Sequence, residues 1–488
     1  MKDVLSYSSS LAFAQILGLF SGFLVARWLS PTDFGTWNAV SLALVYGAFS
    51  ELGSTDVMGR ELPFYRGQGR LGKEKEVADT TLCMTLAGAA VVILVLLGIS
   101  CWSGFSRPMA VGLRGMAIVL ALQQLLVYHQ VVLRCYNEFG LLSKLQVMLS
   151  VVKAVLAILM VFWLAFVGRV IAAILAHLIV VVYLLLLGKV RLSVKFDVRV
   201  GRQLVKIGLP LIIPGIIGGL LGTIDRLIIV TYLGATQLGY FSIAILISSF
   251  VFLIPGATNQ IVYPRLTHRF GASGRNILSL QDLVLTPTKV LAYLVPILTG
   301  LAYLTVPVAV KWILPKYMPG VVAAQIVAIG TFFLSIVGVM QNFLITIGAL
   351  RQYILIGFVA LLFNILLDFL FLKLKFGIEG VAIAGTLLTY FFYATAIIGF
   401  VLSHFMRQRR EWVRFIVCCY SPFVYCLLLL AGLVRFVNFS GGQENMSALL
   451  TLLSQALLFV TGCAPLLYLA WKEIKIGNIL GTPTKLVV

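Results

Sequence analysis

The sequence predicts an all-α polytopic membrane protein of about fourteen transmembrane helices, built from two repeats and an appended pair. Three observations lead there. Of 488 residues, 61% are hydrophobic and 11% charged, more apolar surface than a soluble fold of that length buries. Apolar runs of about twenty residues, the length that crosses the hydrocarbon, recur from end to end. A short motif near the first span returns about two hundred residues later in an equivalent place.

The first five spans are expected near Leu5 to Trp28, Asn38 to Met58, Asp79 to Ile99, Ala110 to Leu133 and Leu145 to Phe166. The sixth to tenth follow near Val170 to Gly188, Leu209 to Leu233, Gly239 to Val262, Val284 to Val306 and Val321 to Leu344. The last four run near Tyr353 to Leu374, Val381 to Ser403, Phe415 to Val437 and Ser447 to Trp471. No polar stretch reaches domain size, which excludes a separate soluble catalytic module. The moderately apolar first span lacks a fitting cleavage site and reads as a retained helix.

A net charge of +20, from 37 Lys and Arg against 17 Asp and Glu, would suggest a nucleic-acid partner in a soluble protein. Placement argues otherwise. The basic residues concentrate in alternate short loops, chiefly Arg60 to Lys75, Lys189 to Lys206 and Arg407 to Arg414, as expected when those loops stay cytoplasmic. With an even span count, both termini then face the cytoplasm of an inner membrane. Most of these charges read as topology determinants lying against lipid headgroups. The seven cysteines show neither metal-ligand nor disulfide spacing and read as packing residues.

The repeat aligns Trp28-Leu-Ser-Pro-Thr-Asp-Phe-Gly-Thr-Trp37 without a gap on Tyr232-Leu-Gly-Ala-Thr-Gln-Leu-Gly-Tyr-Phe241. Each copy joins a first span to a second through a short outer turn, where the shared Gly is expected to supply a bend. Arg60-Glu-Leu-Pro63 matches Ile261-Val-Tyr-Pro264 more loosely. The chain accordingly divides into 1–206 (helices one to six), 207–405 (seven to twelve) and 406–488 (the appended pair and a tail).

Soluble-enzyme motifs are absent: no phosphate loop, no HExxH, no nucleophile elbow. Catalytic and metal-ligating residues are therefore not expected. Charge within the hydrocarbon is costly, which singles out Glu51, Lys153, Asp225, Arg226 and Asp368. A buried ion pair fixing helix register is as good a reading of Asp225 and Arg226 as a transport role. Lys153 sits too deep to snorkel and is expected in a wet cavity suited to an anion. Arg27, Arg60, Arg134, Arg265 and Lys289 lie nearer span ends, where they either snorkel or rim that cavity. Gln123, Gln124, Asn259, Gln260, Gln341, Asn342 and Asn364 suit sugar hydroxyls or interhelical packing equally. His129 and His177 fall inside spans and read as hydrogen-bonded packing residues. The Pro and Gly residues from Pro210 to Gly222 allow either bending or close packing of the seventh helix.

These passages together resemble the Wzx-type oligosaccharide flippases, the polysaccharide-biosynthesis branch of the MOP superfamily. The likeness rests on Leu29-Ser-Pro-Thr-Asp-Phe-Gly35, Glu51-Leu-Gly53 leading to Arg60-Glu-Leu, Asp225-Arg226 with Tyr232 to Tyr240, and Gly377-Ile-Glu-Gly-Val-Ala-Ile-Ala384. Leu314-Pro-Lys-Tyr-Met-Pro319 adds to it, with Pro315 where a Gly is commoner. The resemblance spans roughly residues 1 to 400, and the order of the motifs gives it specificity.

It implies a MATE-like fold of two six-helix lobes around a cationic cavity with alternating access. The implied substrate is an undecaprenyl-diphosphate-linked oligosaccharide for O-antigen, exopolysaccharide or capsule synthesis, passed on to glycan polymerase and chain-length machinery. Lys153, Arg226, Arg27, Arg60, Arg134 and Lys289 are the candidate diphosphate-binding cations. Glu51, Asp225 and Asp368 are the candidate carboxylates for coupling to an H+ or Na+ gradient, with no cofactor and no nucleic acid. Two rivals remain: a multidrug antiporter of the same fold, and a membrane glycan polymerase. The polymerase fits less well, because the outer loops are short and carry no His.

Overall fold

The computed structural model describes residues 2–188, 193, 195–439 and 446–480, and within them the side chains of 9–435 and 451–475. The basic segment Lys189 to Lys206 lies partly outside these residues, as does the tail 481–488. Every regular element among them is helical.

Helices α1 (Lys2–Trp28), α2 (Pro31–Gly47), α3 (Ser54–Gly67), α4 (Leu71–Ser100) and α5 (Arg107–Cys135) come first. The starts of α2 and α5 are written in the sequence. Ser30 and Ser106 accept from the N–H groups of Asp33 and Met109, and a proline follows in the first turn of each helix. The predicted second span is interrupted: a 3-10 turn, Ala48–Glu51, and two left-handed residues, Leu52 and Gly53, separate α2 from α3.

Helix α6 (Phe139–Leu186) is 48 residues long, and its backbone leaves helical geometry at Ala165 (φ 47°, ψ −125°). A straight helix would place Leu142 and Leu184 roughly 60 Å apart. They instead share one apolar cluster with Leu145, Val180 and Val181. The element is therefore two antiparallel arms, 139–164 and 166–186, and these are the predicted fifth and sixth spans. The turn falls at Ala165 rather than between Phe166 and Val170, where the expected spans left it. Gly168 lies against the Met160 carbonyl, where a side chain would block the return of the second arm.

Next come α7 (Val198–Leu221), α8 (Ile224–Tyr232), α9 (Ala235–Val251) and α10 (Leu253–Ala272). Asp197 caps α7, accepting from the N–H groups of Arg199 at 2.8 Å and Val200 at 3.0 Å. Those donors, that of Val200 foremost, hold its carboxyl below the usual carboxylate range. Its contribution to stability is present at neutral pH and is lost as pH falls through that lowered value. The seventh span breaks at Gly222 and Thr223, and the eighth bends by 46° between α9 and α10.

The chain continues through α11 (Gln281–Ile313), α12 (Val321–Ile347), α13 (Leu350–Lys373), α14 (Gly377–Ala382), a π-helical segment Ile383–Thr389, and α15 (Tyr390–Phe405). It closes with α16 (Arg409–Phe439), α17 (Met446–Gly462) and α18 (Ala464–Leu480), the last two bent by 46°. Ten helices are long and apolar enough to span a bilayer, and each bent pair adds one span. Counting α6 as two arms and α2 with α3 as one interrupted span gives the predicted fourteen. The molecule is a multi-pass membrane protein.

Contacts group Met1–Ser242 and Ile243–Val488 into two compact units. This grouping differs in kind from the division by repeat into 1–206, 207–405 and 406–488. In the first unit, Val57, Met58 and Leu62 of α3 pack with Leu82 of α4, Tyr128 of α5 and Leu204 of α7. In the second, α12 is the central helix: 72% of its span is buried, against 22% for α4 of the first unit, which presents its apolar surface to lipid. Phe459 and Cys463 join Tyr293, Ile297 and Leu304 in one cluster, so the appended pair packs onto α11.

Candidate functional site

The two copies of the repeat touch each other at matched positions. Thr32 and Thr236, which align, place their hydroxyls 2.8 Å apart. Gly35 lies against the Ala235 carbonyl, and its counterpart Gly239 lies against the carbonyl of Pro31, which is the counterpart of Ala235. The contact is reciprocal, as a local two-fold axis requires. The sequence reading gave the shared Gly to a bend. Gly35 instead lies inside α2 and Gly239 inside α9, and both permit main chain to approach main chain. Nearby, the Tyr46 hydroxyl meets Thr223 Oγ1 at 2.9 Å, joining α2 to the break before α8.

The candidate cations are placed unequally. Arg60 and Arg134 line one cavity of about 390 Å³ with Thr55, Asp56 and Asn137, and the Arg134 charge acts on Asp56. Lys153 is exposed in the middle of the first arm of α6 and has no ion pair among the described residues. Arg27 is exposed in the last turn of α1, where snorkelling to the headgroups is natural. Arg226 is half-buried in the first turns of α8, beside the buried Asp225. Lys289 meets Glu473 of α18 at 3.3 Å, which ties α11 to the appended pair.

The carboxylates differ as well. Glu51 closes the break in the second span: its oxygens accept from Thr55 N at 2.7 Å, Thr55 Oγ1 at 2.6 Å and Ser54 Oγ at 3.2 Å. This is a helix-capping geometry, which satisfies donors that the start of α3 would otherwise leave bare. Asp368 is fully buried on α13 and accepts from the Asn364 amide at 2.9 Å. The π-helical segment packs against α13, and Thr389, buried within that segment, has a hydroxyl with no hydrogen-bond partner among the described residues. Such π turns displace backbone carbonyls from the usual register and gather at functional positions.

Several neutral polar residues are engaged in packing. The Gln124 amide donates to the Gly47 carbonyl at 2.9 Å, and that of Gln341 to the Tyr393 hydroxyl at 3.0 Å. Asn259 fills the space left by Gly338. His129 and His177 each set Nδ1 on the carbonyl four residues earlier. Two features escaped the sequence reading. One is a cavity of about 490 Å³ lined by Arg66, Glu74, Lys75, Asp79, Tyr128 and Tyr136, in which Arg66 stacks 4.5 Å over the Tyr136 ring. The other is Arg169, which the expected span limits left in a loop and which the turn at Ala165 carries into the second arm of α6.

A helical membrane fold with internally paired repeats and cations held within its spans defines the class, a multi-pass membrane protein. Residues 24–316 match the family described as "Polysaccharide biosynthesis protein", and the chain belongs to that family. Its fold is that of the MOP superfamily. The structure of the lipid II flippase MurJ, in an inward closed conformation, superposes with a TM-score of 0.66 at 15% identity, covering 96% of this chain and 99% of that one. An inward-facing multidrug resistance MATE transporter gives 0.62 at 14% identity, covering 82% and 95%. A MOP superfamily transporter from Pyrococcus furiosus, for which reverse polarity of the binding pocket suggests a different function, gives 0.56 at 14%, covering 86% and 96%. No curated protein matches the sequence.

Proposed function

We propose that this protein is a flippase. It carries an undecaprenyl-diphosphate-linked oligosaccharide from the cytoplasmic to the outer leaflet of an inner membrane, with both of its own termini cytoplasmic, and works by alternating access. The observation that carries this reading is three cations, inside the first unit of a polysaccharide-biosynthesis family member, with no salt bridge found among the described residues. Arg60 and Arg134 share a cavity, and Lys153 is exposed at mid-span without an ion pair. Such groups hold a diphosphate through charge-assisted hydrogen bonds while the lipid tail stays in hydrocarbon. A multidrug antiporter with cationic substrates would be served by the opposite polarity. The flipped product would feed a glycan polymerase and chain-length machinery, for O-antigen, exopolysaccharide or capsule. The chain itself carries out no covalent chemistry.

Cells lacking the protein should accumulate the lipid-linked oligosaccharide on the inner leaflet. Unaltered intermediates together with lost toxin efflux would favour the antiporter instead.

Movement is driven by an H+ or Na+ gradient, and among the three carboxylates Asp368 is best placed to sense it. It is buried beside a π turn, whereas Glu51 is committed to a cap and Asp225 adjoins Arg226. Asp368→Asn is expected to remove the gradient dependence of transport in vesicles. Glu51→Gln keeps an acceptor at the cap and should leave that dependence intact; the reverse outcome would move coupling to Glu51.

A further inference from the structure

The two arms of α6 hold a second cationic pair for which no salt bridge is found among the described residues. Arg169, four residues past the Ala165 turn, stacks its guanidinium over the Trp37 ring at 4.7 Å. Its Nε is buried and has no hydrogen-bond partner among the described residues. Lys153, on the other arm, makes no ion pair among the described residues, and the charge that acts on it is that of Arg169. His177 of the second arm is turned to the Ala173 carbonyl and brings no negative charge. Asp33, the one acid of α2, lies one turn before Trp37, where Ser30 engages it, and it is not among the charges that act on Arg169.

Like charges that act on one another within the spans repel more strongly than in bulk solution. The fold keeps them together nonetheless, and the aromatic face under Arg169 fixes its planar fork in place. A guanidinium held in that way is pre-organised to grip two oxygens of one anion, with a neighbouring ammonium adding a point charge. Missing from this arrangement is an oxyanion.

We propose that Arg169, supported by Trp37, and Lys153 form an oxyanion subsite for the transported molecule, separate from the cavity of Arg60 and Arg134. This rests on the flippase reading and deepens it: one anionic group of the substrate docks between the arms of α6. Two groups share the required chemistry, a phosphate of the lipid carrier and a carboxylate of an acidic sugar.

The test uses the purified full-length protein in nanodiscs with three probes: a polyprenyl diphosphate, the same carrier bearing a neutral disaccharide, and the same carrier bearing a glucuronate disaccharide. Arg169→Gln should weaken binding by about 10- to 100-fold, the range for one charge-assisted contact. Arg169→Lys, which keeps the charge but not the fork, should recover part of the loss. An equal loss for all three probes assigns the subsite to phosphate, and a loss confined to the glucuronate probe assigns it to the sugar carboxylate. Unchanged affinity for every probe in both Arg169→Gln and Lys153→Gln overturns the subsite. If Arg169→Gln does not fold, Trp37→Leu replaces it: weakened binding supports the subsite and unchanged binding overturns it. If no probe binds the wild-type protein, the flippase reading fails and the subsite falls with it, an outcome distinct from binding that ignores Arg169.

Discussion

Valine at Gly35 or at Gly239 is expected to reduce transport by at least about tenfold while leaving the protein in the membrane. A side chain at either position would run into a backbone carbonyl, that of Ala235 or that of Pro31, and backbone cannot swing aside as a side-chain tip does. Overpacking of this kind costs about 1–3 kcal/mol, and here the cost falls on the one state in which the repeat copies touch. Relief comes by parting them, which shifts the population toward the state in which they are separated. Transport in vesicles reads the loss. A companion measurement fixes its cause. In a background without the exposed Cys101, paired cysteines at Thr32 and Thr236 should cross-link on oxidation and stop transport until reduced. Valine variants that transport normally would show that the copies need not meet.

The second large effect is expected at Lys153. Lys153→Glu places a carboxylate next to Arg169, where the two charges now attract. Stability should hold or rise, because a repulsion has become a pair, whereas transport should fall by about a hundredfold or more as the anion site is filled from within. The opposed signs matter. If Lys153 served packing alone, stability and transport would fall together. The measurements are the thermal midpoint of the purified protein and flipping of a labelled carrier.

Much of the fold was legible because lipid imposes one rule: each span must be long and apolar enough to cross it. That rule located the ten long apolar helices and the two bent pairs, roughly consistent with fourteen spans, and the Ser-Pro caps of α2 and α5 stated where those helices begin. The breaks were less legible. Leu52 and Ala165 are ordinary helix residues by composition, and what bends the chain at them is tertiary packing, whereas the break after α7 falls at Gly222, inside the Pro- and Gly-rich stretch expected to allow bending. The error at Ala165 propagated into the site. A turn three residues later leaves Arg169 in a polar loop, whereas the observed turn brings it into the arm facing Trp37. The repeat pointed to Gly35 and Gly239 correctly but not to their contact, since alignment reports equivalence and says nothing of touch. Lys289 looked like Lys153 in sequence, and only the fold pairs it with Glu473.

The α6 hairpin has one more consequence. Its tip is ringed by Phe162, Trp163 and Leu164, with Trp163 79% exposed, the kind of aromatic collar that settles at the boundary between headgroups and acyl chains. Lys153 lies ten residues back from Trp163 along the same rod, about 15 Å beneath that collar, in a hydrocarbon layer about 30 Å thick. The ammonium therefore hangs from the membrane surface at the hairpin tip like a plumb weight. In a thinner bilayer it would ride nearer the opposite face, and turnover should track acyl-chain length.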